Sequence, residues 1–202
     1  MINLATAPLS ARFDHLLKVI SGQKFLQMEG LGNEIPFFIC PFAPREQDAM
    51  MAAVDNLKHN LELKGIRVLL INLYDLAVEL LQQKGVWEPL LEQEAQLSRA
   101  EVLELLQSVL DPETHFVPAI EDKIRAGIYD VLFLTGIGEV YPYLRAHTIL
   151  NNLQSKVKEF PTVLFYPGEY AHTPEKGTTL RLFGRLHDAN YYRAFNLYEI
   201  QP

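Results

Sequence analysis

Residues 66–73 read Ile66-Arg67-Val68-Leu69-Leu70-Ile71-Asn72-Leu73, and this run decides the fold class. Its aliphatic and β-branched residues are typical of a strand, and their near continuity indicates burial on both sheet faces. Shorter apolar runs predict further strands at 35–40, 129–135 and 162–166. Residues 45–64, between the first two strands, have apolar side chains at helical spacing. The alternation predicts an α/β fold with a mainly parallel sheet flanked by helices.

A long helical block separates the second and third predicted strands. Residues 75–83 and 113–126 show helical spacing, and Ser98 and Glu101 have the spacing of a capping box for a helix over 98–110. The block from about 75 to 126 is too long for one crossover, so we expect a helical insertion in the α/β fold. A chain of 202 residues has an ordinary domain size, which predicts a single domain over 1–202.

Residues that typically cap helices or form turns predict the remaining elements. Ser10 is expected to cap a first helix that ends near residue 20. Gly136-Ile137-Gly138 is expected to turn the third strand into a helix that runs to about residue 157. After a loop, residues 180–183 and 191–195 are expected to form the two arms of an edge hairpin.

Composition excludes several classes of protein. The chain has 18 Lys and Arg against 25 Asp and Glu, a net charge of −7, which argues against direct, broad binding of nucleic acid without excluding a small basic patch. Its apolar stretches are short compared with the roughly 20 residues of a membrane span. The N-terminus does not resemble a signal peptide, and the single Cys40 allows no intrachain disulfide, so we expect a soluble cytoplasmic protein.

The segment after the first predicted strand, Cys40-Pro41-Phe42-Ala43-Pro44-Arg45, lies where a phosphate-binding loop would lie. Such a loop needs glycines, a lysine and free backbone N–H groups, whereas Pro41 and Pro44 close the strand and remove two of those groups. Cys40 and Arg45 have one residue fewer between them than a phosphatase cradle. Cys40 is therefore interpreted as a buried residue that ends the strand, with a thiolate activated by the next helix as the alternative.

Other motifs with possible chemistry are incomplete. Gly136 and Gly138 resemble the opening of a dinucleotide fingerprint, but Tyr141 replaces the third glycine, so a tight turn is the first interpretation and an anion site at the helix start the alternative. Glu121 and Lys123 fall within helical periodicity and do not share a face. No histidine pair has zinc-ligand spacing. The sequence predicts no catalytic residue, no metal and no cofactor.

The C-terminal third combines tyrosines with arginines, which are enriched in binding hot spots. Tyr170, Arg185, Tyr191 and Arg193 are the candidate partner-binding residues. Core packing is the alternative interpretation, and stacking of nucleobases is another. The acidic total favours a protein as the partner.

Four segments resemble the BrxB family of bacterial BREX (bacteriophage exclusion) defence systems, and the likeness covers nearly the whole chain. The segments are FLQMEGLGNEIPFFI (25–39), YPGEY (166–170), LFGRL (182–186) and NYYRAF (190–195). The resemblance implies a cytoplasmic component of a multi-protein anti-phage system, beside a methyltransferase, a large ATPase and the alkaline-phosphatase-like protein PglZ. It also implies similarity to nucleotide-hydrolase α/β cores without their motifs, and it supplies no catalytic residue.

The expected function is therefore a non-catalytic scaffold or adaptor for other BREX components, with PglZ as the favoured partner. Two alternatives stay open. One is an anion- or nucleotide-binding enzyme or regulatory subunit that uses Cys40 or the loop Gly136–Gly138. The other is a factor associated with a DNA-bound complex.

Overall fold

The computed structural model describes residues 4–29, 36–173, 177–188 and 194–202. The strands of this part of the chain are β1 (Phe37–Phe42), β2 (Val68–Asn72), β3 (Val131–Thr135), β4 (Thr162–Thr173), β5 (Gly177–Leu182), β6 (Leu186–Asp188) and β7 (Phe195–Asn196). The α-helices are α1 (Leu9–Ile20), α2 (Gln23–Leu26), α3 (Gln47–Leu63), α4 (Leu73–Gln83), α5 (Trp87–Gln93), α6 (Arg99–Val109), α7 (Val117–Arg125) and α8 (Ala146–Gln154). Among these helices, none is both long and apolar enough to cross a bilayer.

Five strands lie side by side in the order β2-β3-β4-β1-β7, and each neighbouring pair is parallel. The prediction of an α/β fold with a mainly parallel sheet is confirmed. From β1 the chain crosses through α3 to the far edge at β2 and then returns strand by strand to β4. The connections that leave β1 and β4 therefore run in opposite directions. Ligands of open α/β sheets bind outside the carboxyl ends of the strands at such a switch point.

Helices cover both faces of the sheet because successive strand residues point to opposite sides. Phe38, Cys40 and Phe42 pack in one buried cluster with apolar residues of α1 and α3. Phe37 and Ile39 pack in the other with residues of α4, α7 and α8. The continuous burial of β1 explains why its sequence does not alternate between apolar and polar residues.

The helical block predicted between the second and third strands is present as α4 to α7. Ser98 begins α6 with the predicted capping box. Its hydroxyl oxygen accepts a hydrogen bond from the Glu101 N–H at 3.3 Å, and the Glu101 carboxylate accepts one from the Ser98 N–H at 2.8 Å. Asn72 begins α4 in a similar way, because its side-chain oxygen accepts from the Tyr74 N–H at 2.8 Å.

Two predicted boundaries in the first half of the chain are wrong. The first helix begins at Leu9 after Pro8, and Ser10 lies inside its first turn without a capping bond. The sequence also predicts that Pro41 closes β1, but the strand continues through Pro41 to Phe42. Within the described residues, β7 pairs with Phe38 and Ile39 and does not reach Pro41. At Pro41 the strand therefore has β4 as its one described neighbour, and such an edge position is where a sheet tolerates proline.

The region after β3 also differs from the prediction. Residues 137–144 are turns rather than the start of a helix, and α8 begins at Ala146. The chain folds back at Gly136, where the Glu139 and Val140 N–H groups both donate to its carbonyl oxygen.

The predicted edge hairpin has different arms. The second half of β4 pairs antiparallel with β5, and β5 pairs with β6. Residues 195–196 form β7 instead, parallel to β1, and residues 191–193 lie outside the described part of the chain. We call residues 168–173 and 177–188 the antiparallel extension, because they continue β4 beyond its parallel neighbours.

Candidate functional site

A crevice of about 340 Å³ lies at the carboxyl end of β1, where β4 leaves its parallel pairing with β1 at the switch point of the sheet. Its walls are largely apolar and include Phe42, Pro44, Tyr170 and Phe183. The turn after β1 offers few donors to a phosphate. Pro44 has no N–H group, and the Glu46 N–H donates to the Ala43 carbonyl at 2.8 Å. This geometry agrees with the sequence, which lacks a phosphate-binding loop here.

A buried arginine binds this turn through the side chain of Glu46. Arg12 of α1 is 1% exposed, and its Nη2 donates to the Glu46 carboxylate at 2.8 Å. Burial lowers the pKa of Arg12, but its bonds to Glu46 and Tyr198 raise the pKa above its ordinary value, so the guanidinium stays charged. Sequence analysis missed this pair. The one signal was spacing, because Arg12 precedes the buried Leu16 by four residues and so lies on the same helix face.

Cys40 is fully buried in the same region. Its Sγ–H donates to the Tyr198 hydroxyl oxygen at 3.3 Å. Burial raises the pKa of the Cys40 thiol to about 12, and the bond to Tyr198 offsets part of this effect. The interpretation of Cys40 as a buried residue is confirmed, although it lies within β1 rather than at its end. A thiol held as the neutral form inside the core is not a nucleophile near neutral pH.

The glycines of the loop Gly136–Gly138 are required by close packing. Gly136 has a φ of +77°, and a Cβ there would collide with the Asn72 side chain that caps α4. A Cβ at Gly138 would lie 2.9 Å from both Phe183 and Pro167. The next residue is Glu139, which accepts a hydrogen bond from Gln47 at 3.0 Å. The loop is therefore a packed turn beside a carboxylate, in agreement with the first interpretation of its glycines, and the helix expected to start here begins only at Ala146.

Two of the four candidate partner-binding residues lie in the described part of the chain, and their surroundings differ. Tyr170 is half-buried, and its hydroxyl donates to the Ala194 carbonyl at 3.1 Å, which attaches the antiparallel extension to the segment before β7. Arg185 is exposed in the turn between β5 and β6. The other two candidates, Tyr191 and Arg193, lie outside the described residues.

The turn between β5 and β6 is held by hydrogen bonds and presents more than Arg185. Phe183 and Gly184 adopt φ values of +56° and +70°. The Phe183 N–H donates to the Pro167 carbonyl at 2.8 Å, and the Arg185 N–H donates to the Leu182 carbonyl at 3.1 Å. Phe183 is 39% exposed and Leu186 is 38% exposed, so the turn carries an arginine between two accessible apolar side chains.

A small cavity of about 160 Å³ adjoins this turn. Arg185 and Leu186 line it together with Tyr141, Arg145 and the first residue of α8. In the described part of the chain neither arginine forms an ion pair with a carboxylate. The described carboxylates therefore leave both cations of this cavity without an ion-pair partner. No three described His, Cys, Asp or Glu side chains are grouped so that they could hold a metal ion.

Comparison with known proteins relates this fold to one family. The family model described as BREX protein BrxB matches residues 69–197. A protein of that name from Bacillus cereus (strain H3081.97) is 33% identical over 193 residues, which cover 94% of this chain and 97% of the relative. The chain belongs to the BrxB family. A second BREX protein BrxB, from Escherichia coli O9:H4 (strain HS), is 27% identical over 189 residues, or 94% of this chain and 91% of the relative.

Membership of the BrxB family confirms the resemblance found in the sequence and makes the protein a component of a BREX phage-defence system. No solved structure matches the chain. The BrxB match covers both the helical block and the antiparallel extension, including the turn that carries Arg185.

Proposed function

We propose that this BrxB-family protein is a non-catalytic scaffold or adaptor that docks another BREX component through the turn Phe183–Leu186. The observation that carries the proposal is the exposed Arg185 between Phe183 and Leu186 on a hydrogen-bonded turn. Aromatic and arginine side chains supply much of the energy of protein interfaces. A turn that is already ordered loses little conformational entropy when it binds.

The chemistry of the turn suggests what the partner presents to it. Arg185 and Arg145 line one cavity and are unpaired within the described residues, so a carboxylate of the partner would complete the ion pairs there. An interface of ordinary size would bury roughly 800 Å² on each partner around this anchor. PglZ is our first choice of partner, and the cytoplasm is the proposed location.

The proposal includes one domain over residues 1–202. Its support is that the helices on both faces pack on the same five parallel strands. An enzymatic role would need a reactive group at Cys40 or in the loop Gly136–Gly138. The buried neutral thiol and the packed glycines provide no support for either.

Pull-down assays with each purified BREX component test the docking role. The wild-type chain is compared with Arg185→Glu, and with Lys18→Glu as the control, because Lys18 is an exposed cation of α1 on the other side of the sheet. We expect wild type to retain PglZ, Arg185→Glu to lower the affinity about tenfold or more, and Lys18→Glu to have no effect. Arg193→Glu tests the remaining cation of the predicted set.

The other outcomes have distinct meanings. If wild type retains no BREX component but shifts DNA at physiological salt, the scaffold role is wrong and the DNA-associated alternative is favoured. If PglZ is retained equally by wild type and Arg185→Glu, the docking role holds and the surface is wrong. In a phage-protection assay, a scaffold tolerates Cys40→Ser, whereas a thiol-dependent enzyme would lose its function with the fold intact.

A further inference from the structure

Most of the net charge of the chain lies in one helical segment. Residues 86–116 contain seven carboxylates and one basic side chain, Arg99, so this segment has a net charge of −6 within a chain total of −7. The rest of the chain is almost balanced, with 18 carboxylates against 17 lysines and arginines. We call residues 86–116, which include α5 and α6, the acidic segment.

These carboxylates are accessible, and no lysine or arginine of the described residues pairs with them. Among the seven, Asp111 is half-buried and the other six are exposed. Two of them make local caps, Glu101 to Ser98 and Asp111 to Thr114. The segment therefore presents a concentrated negative surface to solvent.

The same segment exposes aliphatic side chains. α6 has no fully buried residue, although it carries five aliphatic ones larger than alanine. Leu106 and Val109 pack against the core, and the remaining three, Val102, Leu103 and Leu105, are half-buried but belong to neither buried cluster. By helical geometry, Leu103 and Leu105 lie on opposite sides of the Leu106–Val109 stripe. On α5, Leu91 is 54% exposed.

We propose that the acidic segment is a second docking surface, for a protein segment that carries lysines or arginines around aliphatic side chains, such as a basic amphipathic helix. The accessible Leu91 and the partly accessible aliphatic side chains of α6 can bury apolar surface against a partner, and the carboxylates of the same segment select a partner of opposite charge. The same charge repels nucleic acid and anionic lipid surfaces. This basic partner has the opposite charge to the acidic one that suits the turn Phe183–Leu186 (the Arg185 turn). The two surfaces would therefore let one chain hold two different components.

The acidic segment can be tested without knowing which component binds the Arg185 turn. The first test uses the full-length protein and a synthetic 18-residue helical peptide of leucines and lysines, with a leucine and glutamate peptide as the probe control. Affinity is measured by fluorescence anisotropy at low and high salt. The variants are Leu105→Asp and Glu104→Lys. Their matched controls are Leu63→Asp and Asp55→Lys, both exposed on α3 across the sheet.

We expect the lysine peptide to bind wild type, and each α6 variant to weaken binding about tenfold or more. We expect both α3 controls to bind like wild type, and the affinity to fall as salt screens the charges. Circular dichroism and thermal melts establish that Leu105→Asp is folded, and Glu104→Lys, which changes only an exposed position, gives a second reading if it is not. Equal binding by all variants, or equal binding of the glutamate peptide, would overturn the proposal.

A second test identifies the natural partner chemistry. A carbodiimide joins a carboxylate directly to a neighbouring lysine, so it is applied to the complex of the protein with purified BREX components. We expect cross-links from Glu92, Glu94 or Glu104 to lysines of a BREX component, and their loss in Leu105→Asp but not in Arg185→Glu. Cross-links to a second copy of the same chain, or none at these positions in any assembled complex, would contradict the inference.

Discussion

Arg12 and Glu46 form an ion pair whose two members differ in their access to solvent. The side chain of Arg12 is 2% exposed, whereas that of Glu46 is 33% exposed. Removing one member of a buried pair is costly when it leaves the other as an uncompensated buried charge. Substituting Glu46 should therefore cost more stability than substituting Arg12. Without Arg12 the exposed Glu46 is hydrated, whereas without Glu46 the buried Arg12 is not.

We expect Glu46→Gln to lower the free energy of unfolding by about 3 kcal/mol, because the buried guanidinium loses its countercharge. Arg12→Met should cost about 1 kcal/mol or less, since it replaces a buried charge by an apolar side chain of similar length. Urea unfolding of both variants at neutral pH measures the difference. A larger loss for Arg12→Met than for Glu46→Gln would contradict this account of the pair.

Cys40 gives a prediction for alkaline pH. Burial raises the pKa of the folded thiol to about 12, while an unfolded cysteine has a pKa of about 8.5. The folded state therefore holds the proton more tightly. Its contribution to stability is complete below about pH 8.5 and is lost as pH rises toward the folded pKa.

Raising the pH from 7.5 to 9.5 should lower the free energy of unfolding of wild type by about 1.4 kcal/mol, because the unfolded thiol loses its proton in this range and the folded thiol keeps it. Urea titrations at the two pH values measure it, with Cys40→Ala as the control that removes the titrating group. The variant starts from a lower stability because it leaves a cavity, so the comparison rests on the pH-dependent change. An equal change in both proteins would show that Cys40 is not responsible.

At the scale of elements, the antiparallel extension depends on Gly168. A Cβ at this position would collide with the Arg181 carbonyl, where β4 pairs with β5. This backbone atom cannot move aside without breaking the pairing. Gly85, in contrast, has a φ of +66° but no atom within 4 Å of the place where a Cβ would lie, so alanine there meets backbone strain alone.

We expect Gly168→Ala to speed amide hydrogen exchange in residues 168–173 and 179–182 and to weaken binding at the Arg185 turn. Gly85→Ala should leave exchange in the extension unchanged and destabilise the protein by about 1 kcal/mol. Exchange measured by mass spectrometry on both variants distinguishes the two. Unchanged protection of the extension in Gly168→Ala would mean that the close pairing with Arg181 does not hold it together.

These elements also show what sequence can and cannot predict. The parallel strands and the helical block are predictable, because continuous apolar runs and helical spacing are local signals. The partner of β5 is not, since residues 180–183 are compatible with any neighbouring strand and β4 extends past its apolar run into polar residues. The burial of Arg12 depends on α1 meeting the turn after β1, which no local pattern contains.

At the scale of the whole molecule, the strand order creates a switch point between β1 and β4, where many α/β proteins bind ligands. Carboxylates stand near this edge, each already engaged by the protein. Glu46 binds Arg12, Glu139 binds Gln47, and Glu169 binds Arg181. A nucleoside triphosphate would meet these charges without the lysine and backbone donors that stabilise its phosphates elsewhere.

We therefore expect the isolated protein to bind Mg-ATP with a Kd weaker than about 1 mM and not to hydrolyse it. Isothermal titration calorimetry with magnesium measures binding, and phosphate release measures hydrolysis, with an established ATPase under identical conditions as the positive control. Glu46→Gln provides a matched variant. It removes one carboxylate from the edge but restores no N–H group at Pro41 or Pro44, so it should also fail to bind. Micromolar affinity in wild type would show that the crevice recognises nucleotides through groups other than a phosphate-binding loop. Binding that appears in Glu46→Gln alone would show that the negative charge, rather than the missing N–H donors, excludes the nucleotide.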